Sequence, residues 1–235
     1  MIEQFSITLF WPMSTIGVTP ELLSQYNVHH EAQFQSFLNV IKATNWTLSK
    51  EEPTIQFYSG NYPNSSFSMI KSIVTIPLPV EEVFNFLLLV PTIDDKTPDA
   101  DRDGCRERRL FGEIPNDEHH SGFLYVWVMS GSRFVSDRDF SLYRRAYDHE
   151  DMKILFSTSI ENLDIMPEKK GNVRGKMNLQ AFICQKDPNN SNQTQLTFVV
   201  HADPMGSIPS MIYNSVAVSQ GYSAKKVRDN LMKPK

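Results

Sequence analysis

The sequence predicts an α+β domain in which a curved antiparallel β-sheet wraps around a long C-terminal α-helix, with an N-terminal helix packed outside. Three observations predict this fold class. The elements follow the order helix, strands, helix, a long series of strands and a final helix. Clusters of Asp, Asn, Gly, Pro and Ser separate the strands. No internal repeat or low-complexity linker interrupts the chain, so we expect an extension at residues 1–19 and one domain at residues 20–235.

Three helices are predicted from apolar spacing and from the residues that begin them. Apolar residues of the segment 20–46 recur at i, i+3, i+4 and i+7: Phe34, Phe37, Leu38 and Ile41. A second helix is expected directly after Pro79, where two glutamates occupy the first turn. The segment 207–232 predicts one long C-terminal helix with Ser207 as a candidate N-cap.

The strand series after residue 105 contains one segment with clear two-residue alternation. Residues that we expect to point one way are Val173, Gly175, Met177, Leu179, Ala181 and Ile183, and those that point the other way are Arg174, Lys176, Asn178 and Gln180. This pattern predicts a half-buried strand, and therefore a sheet with one face in water.

Composition excludes several classes of function. The net charge is -4 and the basic residues are scattered, which argues against a nucleic-acid partner. Two cysteines form neither a disulfide framework nor a metal-ligand set, which favours a reducing compartment and hence the cytoplasm. No segment approaches the ~20 apolar residues of a spanning helix. Glu3 and Pro12 interrupt the apolar N-terminal stretch, so we expect no secretion signal.

Enzymatic signatures are weak. The adjacent histidine pairs 29–30 and 119–120 lack the spacing of helical metal ligands, and His149 and His201 stand alone. No nucleophile elbow, P-loop or dinucleotide-binding pattern is present. The Asp-rich segment 94–104 has the composition of a calcium loop but not its ligand spacing. We therefore expect no enzymatic activity, no metal and no cofactor.

Several stretches resemble one family when they are taken in order. The strand VSDRDFSLYRR (135–145) and the segment ADPMGSIPSMIYNS (202–215) resemble two motifs of START domains, the steroidogenic acute regulatory protein-related lipid transfer family. The stretches at 37–60, 77–87 and 159–183 resemble its entry helix and first strand, its early helix, and a loop with the following strand. The resemblance covers about residues 34 to 232.

The resemblance implies a helix-grip fold whose tunnel, lined by apolar side chains, holds one lipid as the ligand. The function implied is that of a monomeric carrier which moves a sterol or a phospholipid through transient membrane contact. A non-transferring lipid sensor or scaffold module is the alternative, and a helix-grip enzyme such as a cyclase is less favoured. Ile93 and Asp94 stand near the family's Trp-Asp pair, and Val90 near the Arg of members specific for phosphatidylcholine, so the sequence does not favour phosphatidylcholine.

Arg144 is the candidate head-group contact. It lies in a strand row whose other members are apolar: Phe140, Leu142 and Ala146. In the family the equivalent Arg lies in the tunnel, and counting back along the hairpin brings Tyr125 or Trp127 opposite, neither of which is acidic. A buried guanidinium without a carboxylate needs other acceptors. The alternative is that Arg144 reaches the sheet edge and binds Asp148 or Glu150.

The remaining candidate residues fall into two groups. Residues expected to contact the lipid beside Arg144 are Phe123, Tyr125, Trp127, Met177, Leu179, Phe198, Met211, Ile212 and Val216. A structural role is expected for Arg138 and Asp139 as a local ion pair, and for Asp203 as an acceptor for free amide groups. The loop 129–136, together with the helix region that contains Met205 and Gly206, is the candidate gate.

Overall fold

The fold is given by a computed structural model that describes residues 18–88, 105–114, 122–129 and 135–233. The helices are α1 (Pro20–Ala43), α2 (Val80–Leu88), α3 (Ser210–Ala217) and α4 (Tyr222–Leu231). The strands are β1 (Thr47–Glu52), β2 (Ile55–Asn61), β3 (Ser68–Ile76), β4 (Cys105–Ile114), β5 (Gly122–Met129), β6 (Arg138–His149), β7 (Met152–Ser159), β8 (Val173–Arg174), β9 (Lys176–Asp187) and β10 (Asn190–Asp203).

Within the described ranges the strands form one curved sheet with the order β1-β2-β3-β10-β9-β7-β6-β5-β4. All neighbours on this path pair antiparallel, and the two-residue β8 adds a parallel pairing with β6. The α+β class and the curved antiparallel sheet with its C-terminal helical segment are confirmed. We call the face that contacts α2 and α4 the inner face and the face that contacts α1 the outer face.

α1 forms where the sequence predicted it and covers the outer face. Thr19 caps its first turn by accepting a hydrogen bond from the amide of Leu22 at 3.2 Å, and Pro20 occupies the first helical position, where no amide hydrogen is needed. The buried side of α1 packs against Leu179, Ala181 and their neighbours on β7 and β9. Residues 1–17 lie outside the described residues, so the domain division at residue 20 stays a prediction.

The expected wet face of β9 is wrong, because both faces of this strand are covered. Leu179, Ala181 and Ile183 lie under α1, while Phe182 and Cys184 face inward. The alternation also breaks at Asn178. The pairs His201–Leu179 and Ala202–Met177 leave Asn178 as an extra residue, so Met177 turns to the inner face, away from the Leu179 row.

The C-terminal segment is two helices rather than the one long helix that was predicted. A single 3₁₀ turn, Val218–Gly221, separates α3 from α4. At Gly221 the carbonyl accepts a 2.7 Å hydrogen bond from the Ser72 hydroxyl, and a Cβ would lie 2.8 Å from the Phe57 ring. Close packing on β2 and β3 therefore requires glycine at the junction. The N-cap position of α3 is Pro209, not Ser207.

His30 is a buried polar group at the centre of the contact between α1 and the sheet. Its Nδ1 lies 2.8 Å from the Tyr147 hydroxyl and its Nε2 lies 3.2 Å from the carbonyl of Tyr143. A neutral ring satisfies both contacts by donating to the carbonyl and accepting from the hydroxyl. Burial, followed by the nearby charge of Arg145, lowers the pKa of His30 to about 3.

We predict that His30 makes the fold sensitive to acid. Below pH 6.5 the unfolded chain binds a proton at His30, whereas the folded protein does so only near pH 3. Stability from this group is therefore complete above pH 6.5 and falls by up to about 1.4 kcal/mol per pH unit as the pH is lowered. Urea unfolding between pH 7 and pH 4 should show a shallower pH slope in His30→Gln.

His29→Gln is the matched control, since its side chain is on the exposed side of the same helix. It should keep the slope of the parent protein. An unchanged slope in His30→Gln would contradict the role assigned to the buried ring, even if that variant were less stable at every pH.

Candidate functional site

The inner face of β5 and β6 carries the row of side chains around Arg144. Phe123 pairs directly with Arg144, Tyr125 pairs with Leu142, and Trp127 pairs with Phe140. The expectation that Tyr125 or Trp127 lies opposite Arg144 is wrong by two residues in register. The position opposite Arg144 is nevertheless apolar, as expected, and the cross-strand contact is to an aromatic ring.

Arg144 is held by carbonyl groups and rings. Its Nη2 donates to the carbonyls of Leu87 and Leu88 at the end of α2, at 3.3 and 3.4 Å. The guanidinium carbon lies 5.7 Å from the centre of the Phe123 ring and 6.0 Å from that of Tyr125. The Nε atom is buried and has no hydrogen-bond partner among the described residues. One donor of this cation is therefore left unsatisfied.

No carboxylate among the described residues contacts Arg144. Burial lowers its pKa to about 10, and the charge of Arg108 acts in the same direction. The guanidinium remains charged at neutral pH. The alternative in which Arg144 binds Asp148 or Glu150 is wrong, because Arg144 points to the inner face and Asp148 pairs with Lys153 at 3.1 Å.

Other polar groups share the inner face with Arg144. In register across the sheet, Arg144 pairs with Ser157 on β7 and Ser157 pairs with Gln180 on β9, so the three side chains form a polar row. The Ser157 hydroxyl lies 3.4 Å from that of Tyr125. The indole nitrogen of Trp127 is buried without a partner among the described residues.

This polar row and the position of Arg108 were not predicted from the sequence. Arg108 pairs with Trp127 and therefore shares its face. Alternation along the segment RERRL does put Arg108 and Leu110 on one side, but which side faces inward depends on the pairing of β4 with β5. Gln180 was expected on a wet face, and its inward direction follows from burial of both faces of β9.

Of the nine side chains predicted to contact the lipid beside Arg144, five lie on the inner face: Phe123, Tyr125, Trp127, Met177 and Phe198. Leu179 is a correction, because it lies on the outer face beneath α1. Met211, Ile212 and Val216 are also corrections, with exposed fractions of 82%, 58% and 58%.

The outward direction of these three residues follows from how α3 is attached. Asn214 accepts a hydrogen bond from the amide of Ser68 at 2.8 Å and donates to the carbonyl of Ser66 at 3.0 Å. Tyr213 and Ala217 lie on the same, covered side of the helix. The opposite side of α3 therefore carries its methionine, isoleucine and valine into solvent.

Arg138 and Asp139 do not pair with each other, because neighbouring strand residues point to opposite faces. Asp139, which is 1% exposed, pairs with Arg174 at 2.7 Å. Arg138 donates to the carbonyls of Ser136 and Pro204. Asp203 accepts from the amide of Met205 at 2.8 Å, which is the predicted kind of contact. These groups join the start of β6 to β8 and to the segment before α3.

Part of the candidate gate lies outside the described residues, and His201 is not part of the site. Residues 130–134 of the gate loop lie outside the described residues. His201 is buried, stacks on Tyr62 at 3.9 Å and contacts Asn178 and Ser65, which is a packing role. Burial lowers the pKa of His201 to about 4.

The described residues contain neither a candidate metal site nor a candidate membrane-spanning helix. In the part of the chain that the structure describes, no group of three or more His, Cys, Asp or Glu side chains could hold a metal ion. No helix there is both long and apolar enough to cross a bilayer.

Comparison with known proteins gives one family and a set of similar structures. The START domain family model matches residues 31–227. No curated protein matches the chain in sequence. The structure is similar to that of human StAR-related lipid transfer protein 5, with a TM-score of 0.66 and 16% identity over 89% of this chain and 99% of that chain.

Two further structures are also similar. For a STAR-related lipid transfer protein fragment from Xanthomonas axonopodis the TM-score is 0.60, with 20% identity over 80% of this chain and 99% of that one. For the lipid transfer and protein localization domain of human StarD13 the TM-score is 0.62, with 17% identity over 88% of this chain and 98% of that one. At these identities the likeness is one of fold.

We predict unequal effects on stability for two arginine substitutions. Arg174→Leu leaves the buried carboxylate of Asp139 without its partner, and we expect a loss of about 3–5 kcal/mol in the free energy of unfolding. Arg144→Leu replaces a buried cation that no carboxylate neutralises, so we expect a change within about 1 kcal/mol, or a gain. Urea unfolding of both variants without ligand measures the difference. Equal losses would contradict the assignment.

Proposed function

Because this chain belongs to the START domain family, we propose that it binds one lipid, a sterol or a phospholipid, between the inner face of the sheet and the C-terminal helices. The lipid is then carried between membranes through the cytoplasm by a monomeric protein. Family membership supports lipid binding or transfer in general. The features of this chain that support the specific proposal are its apolar inner face and Arg144.

The proposal depends on the buried guanidinium of Arg144. A buried charged group costs several kcal/mol unless its donors are satisfied, and here one guanidinium nitrogen has no acceptor among the described residues. The polar end of a lipid supplies such an acceptor, while the aromatic side chains of β5 contact its apolar part. Pockets of this composition, mainly apolar with a few polar groups, are typical of ligand sites.

Transfer requires that the protein replace the environment of the bilayer. A lipid with ~30 methylenes gains roughly 24 kcal/mol on leaving water, at ~0.8 kcal/mol each. The inner face must therefore offer an apolar surface of comparable extent. Phe123, Trp127 and Met177 lie there, together with the aromatic pair Phe182 and Phe198, whose ring centres are 4.7 Å apart.

The exposed side of α3 is the proposed contact with the membrane during loading and release. Met211, Ile212 and Val216 lie within one side of the helix, and Met205 just before it is 47% exposed. Apolar side chains that project from a short helix insert into the interfacial layer of a bilayer. We therefore assign the three α3 residues to a contact with the membrane and not to the lipid-lining role that was expected from the sequence.

The first experiment asks whether lipid is bound and whether it is moved. Native mass spectrometry of protein purified from cells should show a bound lipid, and liposome-to-liposome transfer should follow with that lipid. Binding without transfer would favour the non-transferring sensor or scaffold module. Absence of bound lipid, together with no uptake from vesicles that contain sterol and phospholipid, would overturn the proposal.

We predict that Arg144→Leu keeps the fold but changes the lipid that co-purifies, because the polar contact that selects the head group is lost. Lipid extraction and identification, compared between the variant and the parent protein, provides the measurement. The same lipid in the same amount from both proteins would rule out the head-group role of Arg144.

We predict that the double variant Met211→Ser, Ile212→Ser slows transfer about ten-fold, equivalent to about 1.4 kcal/mol of lost membrane contact. Equilibrium binding of lipid should be unchanged, since neither side chain faces inward. Val28→Ser is the matched control, because Val28 is 70% exposed but lies on α1 at the other face of the sheet. Equal slowing in the control would contradict the assigned membrane contact.

A further inference from the structure

Arg144 is a buried cation that no carboxylate among the described side chains contacts. Arg144 faces Phe123 on one neighbouring strand and Ser157 on the other. Neither side chain is acidic, and the two carbonyls that accept from Nη2 carry only partial charge. A carboxylate at either strand position would have formed a closed ion pair. The cation instead lies between an aromatic ring and a hydroxyl group.

The unsatisfied donors also point to a ligand that accepts several hydrogen bonds. The Nε of Arg144 and the indole nitrogen of Trp127 are both buried and without partners among the described residues. Trp127 lies four residues from Phe123 on the same face of β5. Tyr125 lies between Phe123 and Trp127 on β5, and its hydroxyl is 3.4 Å from that of Ser157, the β7 neighbour of Arg144, so either hydroxyl can also donate.

A neutral polar group satisfies these donors and this charge only in part. A sterol hydroxyl or an ester carbonyl accepts a hydrogen bond from Arg144 but leaves its charge uncompensated. An anionic group accepts from more than one donor and forms charge-assisted hydrogen bonds, which are about twice as strong as neutral ones. The interaction between opposite charges is also stronger in an apolar enclosure than in water.

We propose that the ligand of this protein is an amphiphile whose polar end is an anion, such as a sulfate, a carboxylate or a phosphate monoester, bound at Arg144 on the inner face. The inference rests on the proposed lipid-binding function and adds the charge class of the lipid. Tyr125 and Ser157 provide further hydrogen-bond donors beside the cation, and Trp127 provides another further along β5. Arg108, which pairs with Trp127, adds positive charge to the same face and lowers the pKa of Arg144.

The test compares lipids that differ only in the charge of the polar end. Cholesterol sulfate and cholesterol, delivered from cyclodextrin, form the first pair. Dioleoyl phosphatidic acid and dioleoylglycerol, presented in phosphatidylcholine vesicles, form the second. Native mass spectrometry counts the bound lipid at matched concentrations. In at least one pair we expect the anionic member to bind about ten-fold or more tightly, and the pair that shows the preference identifies the lipid class.

Substitutions at the position opposite Arg144 provide the control. Phe123→Glu places a carboxylate in register with the guanidinium, so the affinity for the anionic member should fall to that for the neutral member. Phe123→Gln removes the same aromatic lipid contact without adding charge, so it should weaken binding of both members of a pair alike and keep the ratio between them. Arg144→Leu should lose the preference as Phe123→Glu does. Inorganic sulfate at the same concentration should not displace the lipid, because it has no apolar part.

The outcomes separate the two levels of the proposal. If the neutral members bind as well as the anionic ones or better, lipid binding stands and the anionic class is wrong. Loss of the preference in Phe123→Gln as well as in Phe123→Glu would also overturn it, because charge would then not be the cause. Displacement by inorganic sulfate would indicate a site for free anions and would overturn it too. If none of the four lipids binds, the proposed function itself fails.

Discussion

A sheet of this width has two large faces, and the fold depends on covering both of them. The outer face is closed by α1 through Phe34, Phe37 and the buried ring of His30. The inner face is covered in part by α2 and α4, which pack near β3, β9 and β10. On β5 and β6 the inner face carries aromatic side chains and Arg144. The candidate site is therefore continuous with the hydrophobic core that α2 and α4 form on the inner face.

The position of the cation follows from this division. β6 contributes to both faces, so alternate residues serve different purposes: Tyr143 and Tyr147 support α1, while Leu142 and Arg144 face inward. Asp139 is buried at the start of β6, and Arg174 on the short β8 neutralises its charge. β6 thus contains a buried charge with an ionic partner, Asp139, and another, Arg144, that pairs with no carboxylate in the described part of the chain. Arg144 is therefore the group that a ligand can stabilise.

Element order, turn residues and helix spacing were sufficient to predict the class of fold and the positions of α1 and α2. The apolar alternation of β5 also predicted the inward direction of Phe123, Tyr125 and Trp127. These features are local, because each depends on residues close in the sequence. The resemblance to START domains rested on motifs in the same local stretches.

Features that depend on pairing between strands were not predicted. The partner of Arg144 was misplaced by two residues because hairpin register cannot be counted across a long connection. Leu179 was placed on the wrong face because the bulge at Asn178 breaks the two-residue period that the sequence displays. The division of the last helix arose from the approach of Gly221 to Phe57, which is a contact between distant parts of the chain.

The junction at Gly221 divides the C-terminal segment into two helices that are attached to the sheet by different contacts. The Ser72 hydroxyl donates to the carbonyl of Gly221 and anchors the start of α4. α3 precedes this contact and is hydrogen-bonded to the start of β3 through the side chain of Asn214. On its other side the chain turns at Met205 and Gly206, where the φ angles are 52° and 70°. Tilting α3 about these two ends would break the two hydrogen bonds of Asn214 and the packing of Tyr213 and Ala217, whereas the Ser72–Gly221 contact at the start of α4 would stay in place.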